Sequence, residues 1–325
     1  MCARMNFSKD TKPYNDIKAK DFPPMVLAEL TNVCNSACTY CPHAEKVKRP
    51  RYKEQYMPFN IFKKIVDEVR ANPESVLRIT CDGEPLLHPE FCELISYADK
   101  YSNNCISINS NGSFITDKQA ETLLKLKNGI VEFSINAFNE NTFNRTRVGL
   151  DYKKVIENIR AFIDRKKMSS SKTKVMVSII QNKDTIDEIG GFVEYWTPLA
   201  DKVLIRRAML FENYLKNRKN KKYVREKRIP CPVLWTKMTI APNGGVKLCV
   251  NDWFDEEIID SLTSDKTISR IWSGKEYKKN REFHLSGKFN KIPVCFKCVD
   301  WKIQSWEDNY FRVIDGLKQG EIHGK

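Results

Sequence analysis

The chain has 325 residues, enough for one large α/β domain with an appendage or for about two domains. Hydrophobic residues make up 41% and charged residues 30%, which excludes a disordered or fibrous chain, and no apolar run reaches the roughly 18 residues of a membrane span. The net charge of +14 (55 − 41) is unevenly spread: Tyr214 to Arg228 holds eight Lys or Arg and one Glu, half of the excess. Almost no aromatics interleave with those charges, so the stretch reads as a solvated basic segment rather than a nucleic-acid site.

Residues 1–24 read as a polar lead-in ending at Phe22-Pro23-Pro24. With no apolar signal core at its start, the chain is expected to be cytoplasmic. Short β-rich runs then alternate with helical patterns. The expected strands are Val26–Leu30, Val76–Cys81, Cys105–Ser110, Val131–Ala137, Lys174–Ile180 and Lys202–Ile205. Between them, Pro58–Ala71, Pro89–Lys100, Asp117–Leu126, Tyr152–Lys166 and Asp184–Trp196 have helical periodicity. Thr116 is placed as an N-cap, and Pro58 suits a first turn. Strand–helix alternation predicts a parallel sheet with right-handed crossovers, and chemistry at the C-terminal ends of its strands. The basic stretch 211–230 reads as a linker. Beyond it, Met238–Ala241 and Val246–Val250 flank Pro242-Asn243-Gly244-Gly245 as a hairpin. Ile268–Lys279 and Asp308–Lys318 read as helices.

Eleven cysteines, an odd count in a chain expected to be cytoplasmic, argue for metal ligation rather than a disulfide framework. Cys34, Cys38 and Cys41 form C-x3-C-x2-C directly after the first expected strand. Three thiolates on one loop can hold three corners of a cubane [4Fe–4S] core and leave one iron open to an external ligand. Zinc would need a fourth donor, for which His43 is available. Cys231, Cys249, Cys295 and Cys298 form a second set that completes a cubane or a zinc site without outside help.

The combination resembles the radical S-adenosylmethionine (SAM) superfamily. Its signature is C-x3-C-x2-C after the first strand of a partial (β/α)6 barrel, and the likeness continues past it. Tyr40 matches the aromatic beside the SAM adenine. Asp82-Gly83-Glu84-Pro85 matches the Gly-Gly-Glu-Pro motif whose backbone carbonyls take the SAM amino group. Ser110-Asn111-Gly112 matches Thr-Asn-Gly at the end of the third strand, and Ser134-Ile135-Asn136 the Ser-Ile-Asp run near the ribose. One departure is Cys81-Asp82 in place of the usual glycine, which sets a carboxylate near the expected SAM ammonium. The segments around Cys231-Pro-Val-Leu-Trp235, Pro242 to Cys249, Asn251-Asp252 and Ile271-Trp272 resemble a twitch-type extension, a shortened SPASM domain with one auxiliary cluster.

The resemblance implies a radical SAM core over 25–210 and an auxiliary-cluster domain over 231–325. It implies SAM, two [4Fe–4S] clusters and an external reductant such as flavodoxin or ferredoxin. The implied chemistry is hydrogen abstraction from a hydroxylated small molecule, of sugar or aminocyclitol type, leading to dehydrogenation or epimerisation. Maturation of a ribosomal peptide is the alternative, and RNA modification or a non-catalytic zinc protein are further ones. Epimerisation needs a thiol to quench the substrate radical. Of the unassigned Cys2, Cys81, Cys92 and Cys105, Cys81 is the one expected near SAM. For substrate or SAM contact the candidates are His43, Tyr52, Glu84, His88, Asn136, Arg206 and Asp252. Lys46, Lys48, Arg49, Arg51, Lys53 and Arg206-Arg207 could pair with a carboxylate or phosphate.

Overall fold

The computed structural model describes residues 17–207, 228–306 and 310–318. Cys2, most of the lead-in and nearly all of the basic stretch 211–230 lie outside them. Six strands, β1 (Met25–Ala28), β2 (Val76–Ile79), β3 (Ile106–Ser110), β4 (Gly129–Ser134), β5 (Lys174–Gln181) and β6 (Lys202–Arg207), pair in parallel with sequential neighbours. Helices connect them, as in a partial (β/α)6 barrel.

Period-two alternation sorts each strand into two faces. Val26, Ala28, Leu77, Ile79, Ile106, Ile108, Val131, Phe133, Val175 and Val177 belong to the main core with the helices. Helix Phe59–Arg70 supplies Phe62, Ile65, Val66 and Val69 to that core, each worth about 1.5–3 kcal/mol on burial. The alternate residues Met25, Leu27, Val76, Ile130 and Met176 form a second cluster with Tyr310, Ile314 and Leu317. The C-terminal helix Tyr310–Lys318 therefore packs against the inner face of the strands. Thr116 caps helix Asp117–Leu124 through a full capping box with Gln119, a contribution of about 1 kcal/mol.

The C-terminal third does not build a separate sheet. Strand β7 (Lys237–Ile240) pairs in parallel with β1, and β8 (Gly245–Lys247) and β9 (Ile258–Ser261) follow antiparallel. The result is one nine-stranded sheet in the order β6-β5-β4-β3-β2-β1-β7-β8-β9. The expected hairpin is present, with Gly244 at φ +83° in its turn. Two expectations are corrected. The single helix Ile268–Lys279 is two, Ile268–Trp272 and Lys275–Leu285. The break falls at Gly274, where a Cβ would lie 2.9 Å from the Arg270 carbonyl oxygen and 3.0 Å from that of Ile271. The stretch Asp184–Trp196 begins as a 3₁₀ turn at Ile186–Glu188 before helix Ile189–Trp196. No described helix is long and apolar enough to cross a membrane.

Candidate functional site

The loop after β1 carries Cys34, Cys38 and Cys41, with Cys38 buried and the other two half-buried. It is tied down by backbone bonds from Ala37 N–H to Val148 O (2.8 Å) and from Thr39 N–H to Thr146 O (3.0 Å). The Ser36 hydroxyl lies 2.9 Å from the Cys38 sulfur. Burial pushes the Cys34 and Cys41 thiols up to about 12, so a cationic centre is required to hold them as thiolates at neutral pH.

The residues after β2 close over this loop. A Cβ on Gly83 would strike the Thr31 carbonyl and come within 2.6 Å of the Val33 carbonyl oxygen, so only glycine fits there. Glu84 is fully engaged: its backbone N–H donates to Val33 O (2.8 Å), Oε1 accepts from Leu86 N–H (3.1 Å) and Oε2 from Asn111 N–H (2.7 Å). Pro85 opens the short 3₁₀ turn that follows. Asn111 is likewise committed, with Nδ2 on Asn35 Oδ1 and Oδ1 accepting from Ser113 N–H. Glu84 and Asn111 thus weld the ends of β2 and β3 to the cysteine loop. Ser134 Oγ donates to Asn109 Oδ1 at 2.8 Å.

Two residues here hold backbone conformations that L-residues rarely adopt, Cys81 at φ +119° and Asn136 at φ +62°. Buried Asn136 leaves its Oδ1 without a hydrogen-bond partner among the described residues. Arg147, also buried, donates from Nη1 to Tyr40 Oη (3.2 Å) and leaves Nε and Nη2 without partners among the described residues. Burial, opposed by Arg147, pushes the half-buried Tyr40 phenol up to about 12. The site so far offers three thiols, two unused guanidinium donors and an unused amide acceptor.

Asp82 does more than the sequence suggests. Its Oδ2 meets both Lys46 (2.5 Å) and Lys247 (2.8 Å), while Oδ1 is buried without a hydrogen-bond partner among the described residues. Lys247, from β8, also reaches Glu29 at 2.9 Å and Asp255 at 2.9 Å, and Lys46 reaches Asp255 at 2.9 Å. Two lysines face three carboxylates. Burial and then Asp82 push Glu29 up to about 8, against the pull of Lys247. The cluster fastens the cysteine loop and the end of β2 to the C-terminal hairpin. Cys81 is half-buried beside it, against the inner-face cluster, with its thiol raised well above the ordinary value by burial and then by Glu29.

Further along the inner face, Glu132 binds Arg206 through Nε (2.7 Å) and Nη2 (2.5 Å) and meets Arg78 Nη2 at 3.3 Å. The guanidinium of Arg78 stacks 3.6 Å from the centroid of the Tyr310 ring, and Tyr310 Oη lies 2.8 Å from Ser107 Oγ. Half-buried Lys237 joins this wall without an ion pair among the described residues. Burial and then Arg78 push its ammonium down to about 8.

Several candidates are engaged in hydrogen bonds within the protein. His43 Nε2 lies 2.7 Å from Asn32 O, and the Tyr52 hydroxyl donates to the same carbonyl at 3.2 Å. His88 spans Met57 O and the Glu90 N–H. Both Asp252 oxygens accept from the N–H groups of Glu256 and Glu257. Lys48, Arg51 and Lys53 are exposed, and Arg49 stacks 3.4 Å from the Phe254 ring centroid. Cys92 packs on the helix side and Cys105 is buried in the inner-face cluster.

The second cysteine set is brought together by the fold. Cys231, Cys249, Cys295 and Cys298 line one cavity, walled by Val233, Leu234, Val294 and Trp301. Burial pushes the Cys231 thiol up to about 12 and raises the others as well. Arg228 Nε and Trp253 Nε1 are buried there without partners among the described residues. His284, 1% exposed, sits against the cavity with Nε2 3.3 Å from the Cys295 sulfur. Among the described residues no three His, Cys, Asp or Glu side chains converge closely enough for a single metal ion; a cubane spreads its thiolates more widely than one tetrahedral ion does. Three thiols on one loop and four around one cavity are donor sets of the number and kind that iron–sulfur cores take.

Sequence reasoning missed Arg147, Glu29, Lys247, Arg78, Glu132, Lys237, Tyr310 and His284. Lys247 and Lys237 carried a signal, each being charged within an otherwise apolar strand pattern. For Arg147 and Tyr310 only the tertiary fold reveals the role.

Two family models match. The radical SAM superfamily model covers residues 28–193, and an iron–sulfur cluster-binding domain model (SPASM) covers 231–299. The chain is 25% identical over 185 residues to a tungsten-containing aldehyde ferredoxin oxidoreductase cofactor-modifying protein of Pyrococcus furiosus, covering 54% of this chain and 49% of the relative. It thus spans about half the length of that relative. An S-adenosyl-L-methionine-dependent 2-deoxy-scyllo-inosamine dehydrogenase of Niallia circulans is 22% identical over 293 residues, 89% of this chain and 98% of that one. The crystal structure of BtrN in complex with AdoMet and 2-DOIA superposes with a TM-score of 0.59 at 18% identity, over 90% of this chain and 98% of BtrN.

Proposed function

The chain belongs to the radical SAM superfamily and carries a C-terminal iron–sulfur cluster-binding domain, and from that premise we propose that it dehydrogenates a hydroxylated small molecule of sugar or aminocyclitol type. The observation that carries the reading is the second thiol set. Four cysteines share one cavity, which leaves no iron of a cubane open to substrate and suits it to accepting an electron. The near end-to-end alignment with the inosamine dehydrogenase supports the same reading.

Cys34, Cys38 and Cys41 would hold three corners of the first core, and Cys231, Cys249, Cys295 and Cys298 all four of the second. With SAM bound, these groups supply one-electron cleavage of the sulfonium, a hydrogen-abstracting carbon radical and an acceptor for the electron the substrate gives up.

The chain's own residues bind, orient and move protons. Arg147 Nε and Nη2 are set to take a carboxylate, as two parallel donors do. Asn136 Oδ1 is set to accept from an ammonium or hydroxyl. Tyr40, tied to Arg147, fixes the adenine side, and Gly83 and Pro85 keep the backbone of the motif close to the cysteine loop. Glu84 braces that backbone, and Asp82 holds Lys46 and Lys247 beside it, through the contacts described above. Lys237 Nζ, pushed down to about 8 and without an ion pair among the described residues, is the acceptor for the hydroxyl proton. Arg78 and Arg206 favour the deprotonated oxygen. Cys81 is the thiol for the alternative outcome, epimerisation.

Incubation of the reduced holoenzyme and SAM with sugars and aminocyclitols in deuterated water tests the reading. A new carbonyl with one 5′-deoxyadenosine per turnover is expected. Solvent deuterium on carbon without net oxidation would replace dehydrogenation by epimerisation through Cys81.

A further inference from the structure

His284 makes two hydrogen-bonding contacts, and together they fix its proton. Nδ1 accepts from the backbone N–H of Cys231 at 3.2 Å. That backbone group can only donate, so Nδ1 is bare and the ring proton sits on Nε2. Nε2 faces the Cys295 sulfur at 3.3 Å, which makes it the donor and the sulfur the acceptor. The ring is clamped edge-on by Trp235, with centroids 6.3 Å apart, and by Phe289 at 5.0 Å. One imidazole therefore bridges two of the four cysteines, through the backbone of one and the sulfur of the other.

We propose that His284 is a positioning residue whose Nε2–H donates to the Cys295 thiolate and raises the reduction potential of the iron–sulfur core held by Cys231, Cys249, Cys295 and Cys298. The inference rests on the reading of those four cysteines as ligands. An N–H directed at a thiolate draws negative charge from the sulfur. It stabilises the reduced core, which carries one electron more, over the oxidised one. A core poised this way would take an electron more readily from a substrate radical that is being oxidised, in keeping with dehydrogenation.

The test uses the full chain with Cys34, Cys38 and Cys41 replaced by alanine, so that one core remains. EPR-monitored redox titration is compared with and without His284→Leu, with iron counted in each. Equal iron and a lower midpoint potential are expected. The shift corresponds to about a tenfold change in the reduction equilibrium, about 59 mV for one electron. His284→Gln, which keeps an N–H donor, should recover part of it. Equal iron with an unchanged potential in His284→Leu overturns the proposal. Should His284→Leu fail to load iron, pulsed EPR of the chain with His284 intact and ¹⁵N-labelled histidine decides. A ¹⁵N coupling to the reduced core is expected, and its absence overturns the proposal. A triple-alanine chain that binds no iron at all would instead contradict the ligand reading.

Discussion

The two cysteine groups differ in the polar atoms left over around them. Near Cys34, Cys38 and Cys41 both signs remain without partners among the described residues: donors at Arg147 Nε and Nη2, acceptors at Asn136 Oδ1 and Asp82 Oδ1. Near Cys231, Cys249, Cys295 and Cys298 the unpartnered atoms that line the cavity among the described residues are donors, Arg228 Nε and Trp253 Nε1, and His284 Nε2 faces the Cys295 sulfur. Buried polar atoms without partners are costly, so their sign reports what the site is built to receive. A mixed set suits a zwitterionic amino-acid moiety such as that of SAM. A set of donors suits a sulfur-rich anion that brings no further ligand.

The largest expected effect comes from breaking each group in turn. Cys38→Ala should reduce 5′-deoxyadenosine formation to background. Cys249→Ala should remove about four of about eight irons per chain while SAM cleavage survives in part. Cleavage retained in the first variant, or unchanged iron in the second, would erase the contrast between the groups.

Arg147 sharpens it. Arg147→Met keeps the bulk and removes the donors, and SAM binding should weaken by about 10- to 100-fold, as for a lost charged hydrogen bond. Iron content should hold. Equal SAM affinity in calorimetry would reassign Arg147 to a structural role through Tyr40.

A smaller effect is expected in the pH profile. Lys237 is neutral above its lowered pKa of about 8, and a base acts in its neutral form. Turnover should therefore rise as pH increases through about 8. Lys237→Met should flatten that limb and slow turnover by about 10²-fold or more. A rising limb that persists in Lys237→Met would point to another proton acceptor.

The parallel sheet, its helices and both cysteine sets were legible because periodicity and spacing are local. The Asp82-Gly83-Glu84-Pro85 run was legible too, although not the work it does: Glu84 and Asp82 serve the backbone and the lysines of other segments. The pairing of β7 with β1 was hidden, since a parallel partner more than 200 residues away leaves no mark on either strand. Strand β9 was missed because Ile258–Ser261 is short and largely at the surface. Arg147 has no neighbouring motif to mark it, and only the fold buries it against Tyr40. His284 lies beyond the helix expected over Ile268–Lys279, and only the fold sets it beside Cys295.

The central claim is that one iron–sulfur core is open to SAM and the other is closed. EPR of the anaerobically reconstituted, reduced full chain, recorded before and after adding SAM, tests it most directly. The account predicts two signals, one of which shifts with SAM and is missing from Cys38→Ala, while the other is indifferent to SAM and missing from Cys249→Ala. Spectra that SAM leaves unchanged, or a SAM-sensitive signal that survives Cys38→Ala, would contradict it.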